Sequence, residues 1–133
     1  MTTPDKIPHG TAAWFEMVGQ VMMQAALDAR LTADINVSLV EHYTDGDQGL
    51  RFEIRNGEPS YTASVDKDER GDITVAVTAA ASRQLNTRYS DDPEYGSLMA
   101  HLADIGELSV TGDLSRLGSW FAVVHDRIVD RTR

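Results

Sequence analysis

One carboxylate in this sequence occupies a position where an acid or a base could work in an apolar site. Glu41 lies two positions after Leu39 and two before Tyr43, in a stretch whose alternation predicts a β-strand. The alternation directs Glu41 to the apolar face, where loss of water would raise the pKa of its carboxyl group and suit it to acid–base chemistry. The ordinary alternative is that Glu41 lies at the strand end and reaches water beside the next turn.

The other polar residues form no constellation typical of catalysis or of metal binding. The four histidines, His9, His42, His101 and His125, include no pair at the helical spacing of metal ligands. His101 and Asp104 lie three positions apart, a spacing far more common in solvated pairs than in metal sites. No nucleophile elbow and no glycine-rich phosphate loop is present. The sequence therefore assigns no catalytic residue, no metal site and no cofactor.

The large apolar side chains could line a pocket. They form two aromatic pairs and one methionine cluster, namely Trp14 with Phe15, Trp120 with Phe121, and Met17, Met22 and Met23. Methionine is flexible and suits an adaptable pocket, although plain core filling explains the same residues. Trp120 lies off the main apolar stripe of its segment, which indicates a cavity wall or a contact surface.

The elements that must position these residues begin with a helix. Thr11 is a possible N-cap, and apolar residues recur at helical spacing from Trp14 to Ala29. Alternating residues then predict strands at 35–43, 50–55, 60–65 and 72–78. Asn56-Gly57 is a strong signal for a two-residue hairpin turn. Because each strand has one apolar and one polar face, we expect helices on one side of the sheet and water on the other.

The second half of the chain continues with helix and strand signals. A short helix is predicted after Thr78, and Pro93 is expected at the first position of another helix. The apolar stripe of that second helix is Tyr95, Leu98, Met99 and Leu102. Residues 106–113 then predict a fifth strand that Gly112 ends. Asp113 is expected to cap a long amphipathic helix whose stripe is Leu114, Leu117, Phe121, Val124 and Ile128.

Length and charge limit the class of the molecule. The 133 residues correspond to about one domain, and a net charge of −9 argues against nucleic acid and anionic membranes as partners. The absence of cysteine excludes disulfides and thiolate metal sites and favours the cytosol. No apolar run approaches the ~20 residues of a membrane span. We expect a flexible arm over 1–10 without a signal peptide, a single domain over 11–133, and a cytoplasmic location without stable membrane insertion.

Two segments resemble motifs of the sterol carrier protein 2 (SCP-2) family. Residues 72–78, DITVAVT, are similar to a strand of the D-x-T-x-x-x-T/S type, and residues 106–113, GELSVTGD, to one reading G-x-L-x-V-x-G-D. The meander over 35–65 extends the resemblance over most of the chain from Ile35 onward, while the segment 89–97 is longer and more acidic than the family's link. The resemblance implies an α+β fold, with a mixed five-stranded sheet covered on one face by helices. It also implies an apolar tunnel between sheet and helices for sterols or fatty acyl chains.

These features predict the binding or transfer of a lipid-like apolar ligand inside the cell, by a monomer or a homodimer. The predicted apolar lining consists of Phe15, Met22, Phe52, Met99, Trp120 and Phe121. Glu41 and Tyr43 are the predicted anchors for a polar end of the ligand.

Two other functions fit the same residues. One is an enzyme or accessory subunit of the cyclase or isomerase type, in which Glu41 or His42 acts on a bulky apolar substrate. The other is a protein-interaction module with an exposed apolar edge. A deep pocket without a buried carboxylate would favour the carrier, and one with a buried carboxylate would favour the enzyme. A closed core with an exposed apolar patch would favour the interaction module.

Overall fold

A computed structural model describes residues 5–133 of the chain. The α-helices are α1 (Ala12–Ala29), α2 (Ala79–Asn86), α3 (Tyr95–Asp104) and α4 (Val124–Asp130), and two 3₁₀ helices span Leu114–Leu117 and Ser119–Val123. The strands are β1 (Val37–Tyr43), β2 (Gly49–Arg55), β3 (Glu58–Thr62), β4 (Ile73–Val77) and β5 (Leu108–Thr111).

The strands form one sheet in the order β3-β2-β1-β4-β5. The central strand β1 pairs antiparallel with β2 and parallel with β4, so the sheet is mixed. In this register Glu41 lies between Leu50 of β2 and Val75 of β4. The predicted α+β arrangement, a mixed five-stranded sheet with helices packed on one face, is confirmed.

Helix α1 begins where the sequence predicts. Oγ1 of Thr11 accepts a hydrogen bond from the amide of Trp14 at 3.2 Å, which satisfies one of the free N–H groups of the first turn. The buried face of the helix consists of Trp14, Phe15, Met17, Val18, Gly19, Met22, Ala25 and Ala26. Gly19 lets the ring of Tyr61 in β3 lie against the helix, because a Cβ at this position would lie 2.3 Å from that ring. The helix is therefore fixed directly onto the sheet.

The turn between β2 and β3 has the two-residue form that Asn56-Gly57 predicts. Both residues have positive φ, +52° at Asn56 and +79° at Gly57, as a type I′ turn requires. The amide of Gly57 donates to the carbonyl of Ile35 at 3.0 Å, which ties the turn to the segment before β1. The close packing leaves no room for a side chain at Gly57, since a Cβ would lie 2.6 Å from the carbonyl oxygen of Thr32.

Replacing Gly57 by valine should therefore cost at least about 2 kcal/mol of unfolding free energy. A β-branched residue at positive φ is strained by ~1–3 kcal/mol, and overlap with a backbone atom adds to that cost. Urea denaturation measures the loss. Asn56→Gly is the control and should change stability little, because glycine also adopts positive φ. A Gly57→Val protein as stable as the parent would contradict the described turn.

The C-terminal part is not the long helix that the sequence predicts. Two 3₁₀ helices replace its first half, and the α-helix begins only at Val124. The physical reason is Gly118, whose φ of +106° lies outside the helical region and turns the chain between the two 3₁₀ segments. Leu117 is buried as the stripe predicts, whereas Leu114 is exposed.

Asp113 does cap a helix, but the helix is the 3₁₀ segment Leu114–Leu117. Its Oδ1 accepts hydrogen bonds from the amide of Ser115 at 3.0 Å and from the Ser115 hydroxyl at 2.6 Å. These bonds lower the pKa of the Asp113 carboxyl group. The stabilisation is therefore present above the ordinary pKa of an aspartate and is lost as the pH falls through the lowered value.

Asp113→Ala should lower the denaturation midpoint slightly at neutral pH, by less than Gly57→Val does. The reason is the loss of a cap on a short, exposed segment. The control is Asp104→Ala, in the last turn of α3, which removes the same charge without removing a cap. A midpoint that is equal in the Asp113→Ala variant and in the parent would contradict the capping role.

The second face of the sheet is partly covered, where the sequence predicts water. The loop 66–71 lies over it, since Arg51 donates to the carboxylate of Glu69 at 3.0 Å and the amide of Gly71 donates to Oγ1 of Thr74 at 3.2 Å. Val40 and Thr74 are buried on that face in consequence. Alternation alone could not show this, because the cover comes from a polar loop.

Helix α3 begins at Tyr95, two residues after the predicted Pro93. Leu102 is 1% exposed, whereas Met99 is 37% exposed. Met99 follows Leu98 by one position and so points about 100° further around the helix, away from the sheet. Met99 is not among the residues that line the cavity described below, and its part in a ligand site stays a prediction.

The predicted arm covers 1–10, of which 1–4 lie outside the described residues. Ile7 forms a parallel bridge with Thr132, and its amide donates to the carbonyl of Arg131 at 2.7 Å. Nε1 of Trp14 donates to Oγ1 of Thr132 at 2.9 Å, so the two segments meet beside α1. The division of the chain at residue 11 stays a prediction.

Candidate functional site

A cavity of about 190 Å³ lies between the sheet and the helices and is partly open to solvent. Strands β1, β4 and β5 form its floor, and α2, α3, α4 and the second 3₁₀ helix form its walls. The lining residues are Glu41, Val75, Val77, Ser82, Leu85, Asn86, Tyr95, Leu108, Phe121, Val124, His125 and Ile128. Seven of these twelve are aliphatic or phenylalanine side chains, so the cavity is mainly apolar.

Glu41 brings a carboxyl group into this cavity from the central strand. The structure places it on the face that strand alternation predicts. The residue is half-buried and lines the cavity, and burial of its carboxyl group raises the pKa of Glu41 from 4.5 to about 7. No described side chain or amide donates a hydrogen bond to it, so nothing in this part of the chain offsets the loss of water.

Tyr95 and His125 form a second polar pair in the cavity wall. Nε2 of His125 lies 2.7 Å from the carbonyl oxygen of Arg88, and a carbonyl only accepts, so Nε2 carries the proton. With that proton on Nε2, Nδ1 is the acceptor of the pair, and the Tyr95 hydroxyl lies 3.5 Å from it. Burial raises the pKa of Tyr95, so its hydroxyl keeps its proton at neutral pH.

A third polar cluster lies in the wall of the cavity, around the buried Ser82. Its Oγ accepts from the hydroxyl of Tyr43 at 3.1 Å and from Nδ2 of Asn86 at 3.2 Å. With these two bonds, the one proton of Ser82 is directed to Nε2 of His9 at 3.0 Å, an atom that also lies 3.0 Å from the Tyr43 hydroxyl. Burial, with the nearby charge of Arg83, lowers the pKa of His9 to about 4, so the imidazole is neutral at pH 7 and can accept that proton.

The distance between Ser82 and His9 is that of a nucleophile and its base, but the surrounding amides are already used. The amide of Ala81 donates to Oγ1 of Thr78, and the amide of Ser82 donates to the carbonyl of Thr78. The start of α2 therefore offers neither group to the oxyanion that an acyl transfer would create. We interpret the Ser82 cluster as a structural wall of the cavity.

The cavity brings together only two of the predicted site residues, Glu41 and Phe121. Tyr43 is buried beside it, with its ring 5.2 Å from that of Phe15. Phe15, Met22 and Phe52 are fully packed core residues. Trp120 is half-buried, and its ring lies 5.9 Å from that of Phe52 and 5.7 Å from that of Phe121.

Several lining residues were not singled out as site residues. Ser82, Asn86 and His125 carried no motif, and only the apolar stripe of α3 pointed to Tyr95. His42, the alternative working group, lies on the opposite face of β1, away from the cavity. Its Nε2 is buried there without a hydrogen-bond partner among the described residues.

Residues 5–133 contain neither a candidate metal-ligand cluster nor a candidate membrane-spanning helix. In that range no three His, Cys, Asp or Glu side chains are grouped so that they could hold a metal ion. None of the helices described there is both long enough and apolar enough to cross a membrane.

No protein-family model matches the chain, and no curated protein matches it. Among solved structures it is similar to UbiJ-SCP2, a ubiquinone synthesis protein, with 17% identity and a TM-score of 0.48 over 88% of this chain and 93% of that one. It is similar to sterol carrier protein domain 2 of Helicoverpa armigera, with 10% identity and a TM-score of 0.48 over 91% and 89%. The stereoselective inverting sec-alkylsulfatase from Pseudomonas sp. matches at 25% identity and a TM-score of 0.40, over 69% of this chain and 14% of the enzyme. The structures that match most of the chain thus include SCP-2 domains, the family that the sequence motifs resemble.

Proposed function

We propose that the chain binds a small apolar molecule of the lipid type between its sheet and its helices, and acts as a carrier. The observation that carries this proposal is the cavity, in which an apolar wall surrounds a few polar groups. Sites for small molecules have this composition, because apolar contact supplies affinity and the polar groups fix orientation. Glu41 is the polar group without a partner among the described residues.

The volume of the cavity limits what enters it. About 190 Å³ is less than the ~300–1,000 Å³ of a site that encloses a drug-sized ligand. We therefore propose that a short apolar molecule, or the polar end and first part of a longer one, occupies the cavity. Phe15, Met22 and Phe52 fill the neighbouring core, so a longer ligand extends through the opening.

Displacement of Nile red, a neutral apolar dye, by 1-decanol tests the proposal. The parent chain should bind the dye saturably and release it to decanol. Leu108→Trp fills the cavity from β5 and should abolish this binding. The matched control is Ser109→Trp, which adds the same side chain at the exposed neighbouring position and should bind like the parent.

Two results would overturn the proposal. One is the absence of saturable binding by the folded parent chain. The other is equal binding by the Leu108→Trp and Ser109→Trp variants, since the dye would then occupy another surface. Circular dichroism of each variant establishes that the chain is folded.

Glu41 also favours the second function, an enzyme or accessory subunit of the cyclase or isomerase type. The pKa of about 7 at Glu41 lies near the operating pH of a general acid or base. A pocket with a buried carboxylate is also the arrangement that we expect of the enzyme rather than of the carrier. The carrier stays the leading proposal because no described group hydrogen-bonds to Glu41 and orients it, whereas catalytic bases are typically held by a further group.

A benzisoxazole that fits a small cavity distinguishes the two functions. A base removes its ring C–H proton, the N–O bond breaks, and a coloured cyanophenolate is released. As an enzyme, the chain should accelerate this elimination with an apparent pKa near 7, and Glu41→Gln should lose about 10²–10⁴-fold in rate. Equal rates in the parent and in the variant would remove Glu41 as a catalytic group.

The interaction module has less support, because the core is not closed around its polar groups. Exposed apolar side chains do occur, at Leu27, Tyr89, Met99, Ile105, Val110, Leu114 and Val123. We retain as proposals the cytoplasmic location, the absence of nucleic acid partners and a monomeric or homodimeric state.

A further inference from the structure

We propose that the ligand of this cavity carries a hydrogen-bond-donating, basic head group, so that the site selects long-chain amines over long-chain carboxylates. This inference rests on the proposed binding function and names the ligand class. It follows from the charges around Glu41 and from the hydrogen bonds that its polar neighbours already make.

The lining of the cavity has a carboxyl group but no lysine or arginine to balance its negative charge. Glu41 is its one acidic residue, and no lysine or arginine lines the cavity. His125 is its one basic residue, and Nε2 of that ring is engaged by the carbonyl of Arg88. A carboxylate or phosphate head group would therefore meet a second negative charge and no fixed cation.

The hydrogen-bond donors of the lining are also used. Nδ2 of Asn86 donates to the carbonyl and to the hydroxyl of Ser82, the Ser82 proton goes to His9, and the Tyr95 proton goes to His125. The contact of Nδ2 with a carbonyl oxygen, at 2.8 Å, fixes the orientation of the Asn86 amide. The atoms without a described donor are acceptors, namely Oδ1 of Asn86 and the carboxylate oxygens of Glu41.

A primary ammonium group complements this set, because it has three donors, one positive charge and no acceptor. It can reach Glu41 while its alkyl chain contacts the apolar wall formed by residues such as Val75, Leu108 and Phe121. A fatty alcohol offers one donor and no charge, so it should bind with intermediate affinity. A fatty acid should bind least at pH 8, when both carboxyl groups would have to ionise.

The pairing also sets the pH dependence. Between about pH 5 and 7 the free site holds its proton on Glu41, and ammonium binding must displace that proton, so amine affinity should rise with pH and level off above 7. The other titratable groups that face Glu41 are Tyr43 on β1, Tyr95 on α3 and His125 on α4. Burial raises the pKa of both tyrosines, which therefore stay neutral throughout this range. The lining residues of α2, β4, β5 and the second 3₁₀ helix carry no titratable group.

The test compares decylamine, 1-decanol and decanoate as competitors for Nile red at pH 8, with the folded parent chain and two variants. The parent should bind decylamine at least about tenfold more tightly than decanoate. Glu41→Gln should lose that preference and bind decylamine and decanoate with affinities within about threefold of each other. The matched control is Glu58→Gln, which removes the same charge from an exposed position on β3 and should keep the preference, so it corrects for non-specific attraction to an acidic surface.

His125→Gln is a second check, since it replaces the imidazole of the lining by a side chain that does not ionise and retains an amide donor for the carbonyl of Arg88. Its amine affinity should keep the same rise between pH 5 and 7. Decanoate binding as tight as decylamine binding, or an amine preference that survives in Glu41→Gln, would overturn the inference and leave the binding function standing. If none of the three competitors displaces dye from the folded parent chain, both the inference and the proposed function fail.

Discussion

Glu41→Gln should make the protein more stable than the parent at pH 8, by up to about 3 kcal/mol, and should leave stability at pH 4 unchanged. The pKa of Glu41 rises from 4.5 to about 7 because burial disfavours its charged form. The folded state therefore holds more protons than the unfolded state between these values, and parent stability falls as the pH rises from about 4.5 to 7. The size follows from about 1.4 kcal/mol for each tenfold change in acidity. Glutamine keeps the shape and does not titrate.

Urea denaturation at pH 4, 6 and 8 measures this difference, on protein purified without amphiphiles. Subtracting the two curves removes the pH dependence that both proteins share and leaves the contribution of Glu41. Glu58→Gln is again the control and should show no comparable dependence, since its side chain is exposed. A Glu41→Gln curve parallel to that of the parent from pH 4 to 8 would show that Glu41 ionises freely, and would remove it as a buried anchor.

Gly112→Val should destabilise the fold by about 3–5 kcal/mol, the largest loss expected of any single change considered. Gly112 follows β5 with φ at +96°, and a Cβ there would lie 2.2 Å from the carbonyl oxygen of Asp72. Strain at positive φ contributes ~1–3 kcal/mol, and overlap with a backbone atom that the sheet holds in place contributes a similar amount. The end of β5 would have to separate from β4, since Thr111 pairs there with Thr74.

Gly106→Val separates the two causes. Gly106 also has positive φ, +77°, but a Cβ there would meet nothing within 4 Å. This variant should therefore show the conformational strain alone, and the difference from Gly112→Val in urea denaturation measures the close approach of β5 to Asp72. Equal losses in both variants would contradict that approach.

Features that depend on neighbouring residues could be predicted from the sequence. Alternation placed Glu41 on the correct face of β1, and Asn56-Gly57 specified a turn whose dihedral angles are intrinsic to those residue types. The N-cap at Thr11 is local in the same sense. In each case the residues that determine the structure lie within a few positions of it.

Features that depend on residues far apart in the chain could not be predicted from the sequence. Ser82 meets His9 across 73 positions and Tyr43 across 39, and His125 meets Arg88 across 37. The cavity is a volume that side chains leave unfilled, so it depends on how α2, α3 and α4 lie relative to the sheet rather than on any one segment. The prediction of one long C-terminal helix was wrong for another reason. The apolar periodicity on both sides of Gly118 resembles that of a continuous helix, although the chain turns at this glycine.

The mixed pairing of β1 has a consequence for the order in which the molecule folds. Its antiparallel partner β2 follows after a short turn, so β1, β2 and β3 can pair through contacts that are close in sequence. Its parallel partner β4 is held through pairs such as Leu39 with Ile73, which close a much longer loop. We therefore expect the meander to gain amide protection from hydrogen exchange before β4 and β5 do. Glu41 would then lose its water only in the last stage, when β4, β5 and the later helices close over a strand that has already formed.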